Sequence, residues 1–402
     1  MAEVPAIPAS RATARIGAVA AILVGLLSHA SAAQTPQATK AREAAAERVF
    51  AEATRLFQRQ QLFDLRAVLA RLKRAYPEAA AITDTERKPS YAEMLKAVEG
   101  LGEFLVVRKD GAAGALRKIQ EAIDAAPPNS TVEIQDQGPY DERLVIPAGK
   151  VRLTLRGKKP LWPVIAVAGA ADSVLTVEAA ETTVERLVLA HQAAGGAALA
   201  VRRGPCQLRS VVLGTKGPPP SLALLTAAGA ACEAQGCVVA GNAALEGDVA
   251  LRDTLWLKCD EGGLDAKGAF KAENSLLCHV VTRAAAELRN CIVTQAVAFK
   301  GTPSLALDSI LYKVEAARDD ARIDFCDVHP GGFLDAAVPG KKCFAADPHF
   351  LAPKTLDYRL SPASPCRKKG SDGGDLGCGF SYETLELAKK ALELRNRGTI
   401  AF

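Results

Sequence analysis

The residues that can do chemistry are ten cysteines, a handful of histidines and a few close carboxylates. All ten cysteines lie between Cys206 and Cys378. Cys206 and Cys232 hold the same place in successive copies of a short repeat, and Cys237, Cys291 and Cys326 share another. Side chains stacked in one column of a coiled sheet sit about 4.8 Å apart. Cysteine is small and apolar enough to fill such a column as free thiols, so Cys206–Cys232 is open between a bridge and a thiol ladder. Cys366–Cys378 is expected to be a disulfide closing a C-terminal loop. His191, His279, His329 and His349 are far apart and have no metal-ligand spacing. Asp372-Gly373-Gly374-Asp375 is a weak calcium candidate through Asp372 and Asp375. It lacks the further ligands of a calcium loop and reads as a tight turn whose carboxylates accept from nearby N–H groups. Otherwise no cofactor is expected. Asp319 and Asp320 are adjacent carboxylates, the raw material of acid–base chemistry, set in the polar stretch Glu315–Arg322 that reads as a solvated loop.

These residues are carried by a repeat. Leu208-Arg209-Ser210-Val211-Val212-Leu213 is echoed by Ala234-Gln235-Gly236-Cys237-Val238-Val239 and Leu251-Arg252-Asp253-Thr254-Leu255-Trp256. Further copies centre on Asn274, Asn290 and Ser309, with a weaker last one at Ile323–Val328. Copies recur at about 16 to 26 residues, the range of a strand-bearing solenoid unit. Their Val, Ile and Leu content and short length predict strands rather than helices. Ser210, Asp253, Asn274, Asn290 and Ser309 read as corners, where short polar side chains bond backbone and tolerate left-handed conformations. Hydrophobic content of 49% with 5% aromatics fits a narrow interior filled by small aliphatic side chains. The formal charge of +5 over 402 residues is spread along the chain, which argues against a nucleic-acid partner.

The ends differ in composition. Arg11 and Arg15, the apolar run Ile16–Leu27 and the site Ala30-Ser31-Ala32 predict a signal peptide over 1–33, cleaved after Ala32 or Ala33. The run is shorter than the roughly 20 residues of a membrane span. Export to the periplasm or exterior follows, an uncleaved membrane anchor being the alternative. Residues 34–102 read as helical, with Leu56, Phe57, Leu62, Phe63, Leu65, Val68, Leu69 and Leu72 spaced so that many fall on one face, and Ser90 capping a second helix. Ala115–Ala126 predicts an amphipathic helix whose Leu116, Ile119, Ile123 and Ala126 cover the open end of the solenoid over 103–380. The closing segment, 381–402, carries a helix capped by Ser381, with Leu385, Ala388, Leu392 and Arg395 on one side.

Ile119–Pro127, Val132-Glu133-Ile134, Gly138-Pro139-Tyr140-Asp141-Glu142 and Leu144-Val145-Ile146 resemble the opening of right-handed parallel β-helix proteins of the pectin lyase-like superfamily. Ala346-Asp347-Pro348-His349-Phe350, Asp357–Leu360, Ser364-Pro365-Cys366 and Asp372–Gly377 resemble the closing segment of bacterial β-helix-repeat proteins of unassigned function. The resemblance spans about residues 104–380. It implies an all-β solenoid, a right-handed parallel β-helix with an N-terminal capping helix and flanking α-helices. The superfamily includes polygalacturonases, which pair aspartates with a Gly-His-Gly. This chain has Asp319 and Asp320 without that motif. It also includes pectate lyases, which hold calcium between carboxylates beside an arginine. The nearest match here is Asp248, Asp253 and Asp260 with Arg252, but Asp253 sits at a corner position. Fold implies little about activity. The expected function is an exported, non-catalytic module that is structural or binds a polysaccharide or cell-surface component. The alternative is a diverged lyase, hydrolase or esterase acting on an acidic polysaccharide. A groove lined by two or more close carboxylates with Arg, Lys or His would favour the enzyme.

Overall fold

A computed structural model describes residues 36–59, 61–169, 172–216, 221–258 and 263–402. The expected signal peptide and its alternative as an anchor therefore lie outside the described residues, as does Asp260. No helix among the described residues is long and apolar enough to cross a membrane. The chain divides into two units, one up to Glu99 and one from Gly100.

The first unit is helical: α1 (Pro36–Gln58), α2 (Leu62–Ala75), α3 (Ala80–Thr83) and α4 (Tyr91–Val98). Leu65, Val68, Leu69 and Leu72 of α2 are buried, with Phe50 of α1 and Met94 of α4. Ser90 and Glu93 form a reciprocal capping box at the start of α4. Arg87 clamps the unit through both oxygens of Glu47, at 2.8 and 2.7 Å, and lies over the Phe50 ring.

The second unit is a right-handed parallel β-helix. Each coil lays a strand on a first face, an 11-stranded sheet, and then strands on a second and a third face. In the last coils single strands, such as Ile292–Phe299 and Ile310–Ala316, run through both the second and third faces with a register shift between them. This joins the two faces into one 15-stranded sheet. Neighbouring coil strands pair in parallel, the geometry in which crossover connections are right-handed. The final hairpin, Phe350–Ala352 with Asp357–Leu360, is antiparallel. Inside the first face large and small residues alternate coil by coil: Leu208, Ala234, Leu251, Ala272 and Leu288 are all buried. Stacked identical large side chains would compete for one space, so alternation fills the narrow core without voids.

The corner after the first face is left-handed in every central coil. Arg186, Ser210, Asp253, Asn274, Asn290 and Asp308 have φ between 49° and 56°. The sixth repeat copy places Asp308 at the corner rather than Ser309. Ser309 belongs to the inward column that follows it, with Cys237, Thr254, Ser275, Cys291 and Cys326. Each of these donates its hydroxyl or thiol to the carbonyl two residues back, at 2.8 to 3.4 Å. A buried donor needs an acceptor, and a carbonyl already in the ladder has a second lone pair to give. Serine, threonine and cysteine therefore interchange in this column.

Helix α5 (Ile119–Ala125) caps the solenoid, with Ile119, Ala122 and Ile123 buried. It begins later than the sequence predicts because Leu116 forms a parallel bridge to Val107. The Glu142 carboxylate accepts from the N–H groups of Ile119 and Gln120, both at 3.1 Å. Lys150 Nζ donates to the carbonyls of Asp124 and Ala126 at the other end. Both helix termini are thus satisfied by the coil they cover.

The C-terminal segment folds over the outside of the second face. Helix α6 (Tyr382–Asn396) is capped by Ser381 and buries Thr384, Leu387, Ala388, Ala391 and Leu394. The expected side, with Leu385, Leu392 and Arg395, is rotated away because the partner surface is the apolar column Val212, Val238, Leu255 and Leu276. Packing there is close: a Cβ on Gly214 would lie 2.4 Å from Ile400 Cγ2.

The expected Cys366–Cys378 disulfide is not formed. Both are free and buried, and Cys366 Sγ donates instead to Asp327 Oδ2 at 3.1 Å. The two segments are joined by a backbone bond, Leu376 N to Cys366 O at 3.0 Å, so the loop closes without a bridge. Cys206 and Cys232 are register partners in adjacent coils, also free, which decides for the thiol ladder. Burial pushes the Cys206 thiol up to about 12 and does the same to Cys237 and Cys291. Cys278 is disulfide-bonded.

Candidate functional site: the outer ladder of the first face

A strand places successive side chains on opposite faces, so the inward Leu/Ala column fixes which residues face out. The outward position just before the corner holds Glu185, Arg209, Gln235, Arg252, Glu273 and Arg289 in successive coils, paired in register. Arg156 and Glu133 continue the column toward the N-terminal coils. The sign of charge alternates coil by coil, broken at Gln235. Like charges in register would repel and opposite charges attract across a sheet, so alternation is the arrangement a stacked charged column tolerates.

The pairs are close. Arg156 Nη2 lies 2.7 Å from Glu133 Oε2, and Arg252 Nη2 lies 2.7 Å from Glu273 Oε2. Glu287, in the second outward column, is held by Arg289 and lies 3.8 Å from Lys271. Arg209 donates to a neutral group, Gln207 Oε1, at 2.9 Å. Over these coils runs a groove of about 590 Å³ lined by Glu233, Gln235, Arg252, Lys271, Glu273 and Arg289, with Glu287 alongside. A second cavity of about 230 Å³ adjoins it at the corner, between Lys159, Arg186, Arg209, Asp253 and the start of α6. Gln235 lines both. Arg186 stacks over the Trp162 ring at 4.2 Å, and Trp162 Nε1 donates to Ser210 O at 3.0 Å, which fixes the wall of the corner cavity.

The residues singled out from sequence are distributed otherwise. Asp319 and Asp320 are exposed on a turn and line neither cavity. Asp253 lines the corner cavity, where its carboxylate accepts from Asn274 Nδ2 and its backbone is left-handed. Asp248 accepts from Ala269 N of the next coil at 2.9 Å. Asp372 accepts from Gly374 N and Asp375 from Lys368 N, which ties both into turns. Among the described residues no group of three or more His, Cys, Asp or Glu is placed to hold a metal. Glu233, Lys271, Glu273, Glu287 and Arg289 were not picked out by sequence. The signal was present one residue before each corner, where Glu185, Arg209, Gln235, Arg252, Glu273 and Arg289 alternate in charge except at Gln235.

Chemically the groove offers guanidinium forks, carboxylates and amides on one open surface. Guanidinium binds carboxylate in two-point fashion, and carboxylate and amide oxygens accept from hydroxyls.

No family model matches the chain, and no curated protein sequence does. Solved structures similar in fold include pectate lyase Pel9A, at 13% identity and a TM-score of 0.40, over 70% of this chain and 97% of that one. Pectin methylesterase PemA from Erwinia chrysanthemi aligns at 14% identity and a TM-score of 0.32, over 65% and 98%. Pectin methylesterase from carrot aligns at 12% and 0.33, over 64% and 97%. The fold assignment rests on the strand order and register described above; these likenesses contribute no residue role.

Proposed function

We propose that this chain is an exported β-helix protein that binds an extended polysaccharide along the outer side of its first face. The observation that carries the reading is the 590 Å³ groove with its ladder of hydrogen-bonding side chains. Polymer ligands suit a surface that repeats along its length, because each coil offers the next sugar similar groups. Arginine, glutamate and glutamine supply donors and acceptors for hydroxyls and carboxylates. Export rests on the sequence of residues 1–33 and fits the presence of a disulfide at Cys278. Binding is tested on a glycan array with the secreted, N-terminally sequenced protein. Retention of extended polysaccharides supports the reading; an array with no bound glycan refutes it.

A second reading is favoured by one observation: the groove brings Glu233, Glu273 and Glu287 together with Arg252, Lys271 and Arg289. Carboxylates beside cations are what a polysaccharide lyase, hydrolase or esterase needs. Release of reducing ends or unsaturated uronates from acidic polysaccharides would establish this reading, with Glu233→Gln and Glu273→Gln abolishing it.

A further inference from the structure

The ladder has a period as well as a charge pattern. Arginine occupies every second coil, as Arg156, Arg209, Arg252 and Arg289, and the coils between carry Glu185, Gln235 and Glu273. Coil strands stack about 4.8 Å apart, so the arginines recur about every 9.6 Å. That is the advance of an extended disaccharide rather than of one sugar. The alternation lapses once, at Gln235, where the neutral amide stands between Arg209 and Arg252. Gln235 is exposed and lines both cavities. Arg209 leans on neutral Gln207, and the carboxylate partner of Arg252, Glu273, lies on its far side from Gln235. In this column the coil of Gln235 therefore lies between two cations and carries no acid of its own, the nearest carboxylate on its strand being Glu233 in the second outward column.

We propose, resting on the reading of the first face as a polysaccharide surface, that its ligand is an acidic polysaccharide of alternating sequence. It carries one carboxylate per disaccharide, runs along the solenoid axis, and seats a carboxylate over Gln235 between Arg209 and Arg252. The guanidinium forks take the carboxylates, while the glutamates of the intervening coils accept from hydroxyl or amide groups of the neutral sugar. A polymer charged on every sugar would bring alternate carboxylates against Glu185 and Glu273. Selectivity thus comes from a repulsive element as much as from attraction.

Titration calorimetry of the full chain decides the matter with three oligosaccharide probes of matched length. These are hyaluronan, alternating glucuronate with N-acetylglucosamine; polygalacturonate, charged on every sugar; and neutral cello-oligosaccharide. The expected result is hyaluronan bound at least about tenfold tighter than either other probe. Gln235→Glu, which completes the alternation on an exposed side chain, is expected to weaken hyaluronan binding about tenfold with an unchanged unfolding midpoint. Polygalacturonate or cello-oligosaccharide bound as tightly as hyaluronan, or a silent Gln235→Glu, overturns the alternating ligand and leaves the polysaccharide reading standing. Absence of binding to all three probes and to the glycan array removes both.

Discussion

The first and second faces of the solenoid are made by the same coil-on-coil pairing, yet their outer sides are opposites. On the first face the outward column is Arg209, Gln235, Arg252 and Glu273, with Arg209 at the corner cavity and the other three lining the groove. On the second it is Val212, Val238, Leu255 and Leu276, covered by the C-terminal segment and α6. A parallel sheet buried on both sides reads as a continuous apolar run, whereas one with a solvated side alternates. The two halves of the repeat phrase are these two cases: Gln207-Leu208-Arg209 alternates, and Val211-Val212-Leu213 does not. The difference teaches that a solenoid face becomes structural or available according to what the rest of the chain lays over it. The tail is committed to the second face and does not cover the first.

The sharpest way to break this comparison is to remove part of the cover. Leu387 of α6 is fully buried against the second face, and Leu387→Ala should cost about 2–5 kcal/mol in chemical denaturation. A loss below about 1 kcal/mol would mean that the tail is a passenger and that the faces do not differ in kind.

A smaller effect comes from Asp327, which follows Ile310 in the covered column, in register with it. Burial, its largest influence, raises its carboxyl above the usual value, against the opposing bonds from Ala346 N and Cys366 Sγ. A carboxyl with a raised folded-state value binds more protons in the native state. The stability it contributes is present below the unfolded-state value and is lost as pH rises through the folded-state value. The unfolding midpoint of the parent, compared with Asp327→Asn, should therefore decline from acidic toward neutral pH. Parallel curves for the two proteins would show that this end of the column is wet rather than covered.

The smallest effect on stability is expected on the open face. Arg252→Gln removes an exposed ion pair with Glu273 and should shift unfolding by no more than about 0.5 kcal/mol. Polysaccharide binding should nevertheless weaken in the same variant. A large stability loss with unchanged binding would recast the ladder as a fastening for the sheet.

Much of the architecture was legible without coordinates. The capping role of Ile119 and Ile123, the strand-bearing repeat and the left-handed corners at Ser210, Asp253, Asn274 and Asn290 all follow from local chemistry. The site was less legible. Arg252 drew notice beside Asp253, but Glu233, Lys271, Glu273, Glu287 and Arg289 did not, because loops of unequal length hide which residues share a column. The Cys366–Cys378 bridge was misjudged for a related reason. Spacing brings two cysteines near each other along the chain, while the fold sends Cys366 to Asp327 and both into the apolar layer beneath α6.

The outer ladder shows where that boundary falls. The sequence by itself determined that these residues lie on strands, that they point outward and that a corner follows them, since alternation and turn chemistry act between near neighbours in the chain. Only the tertiary structure decided that they stack into an alternating column, that Gln235 interrupts it between two arginines, and that the covering segment chose the other face. Register between coils and the docking of a tail are settled by packing among distant residues, where burial of apolar surface outweighs any local preference.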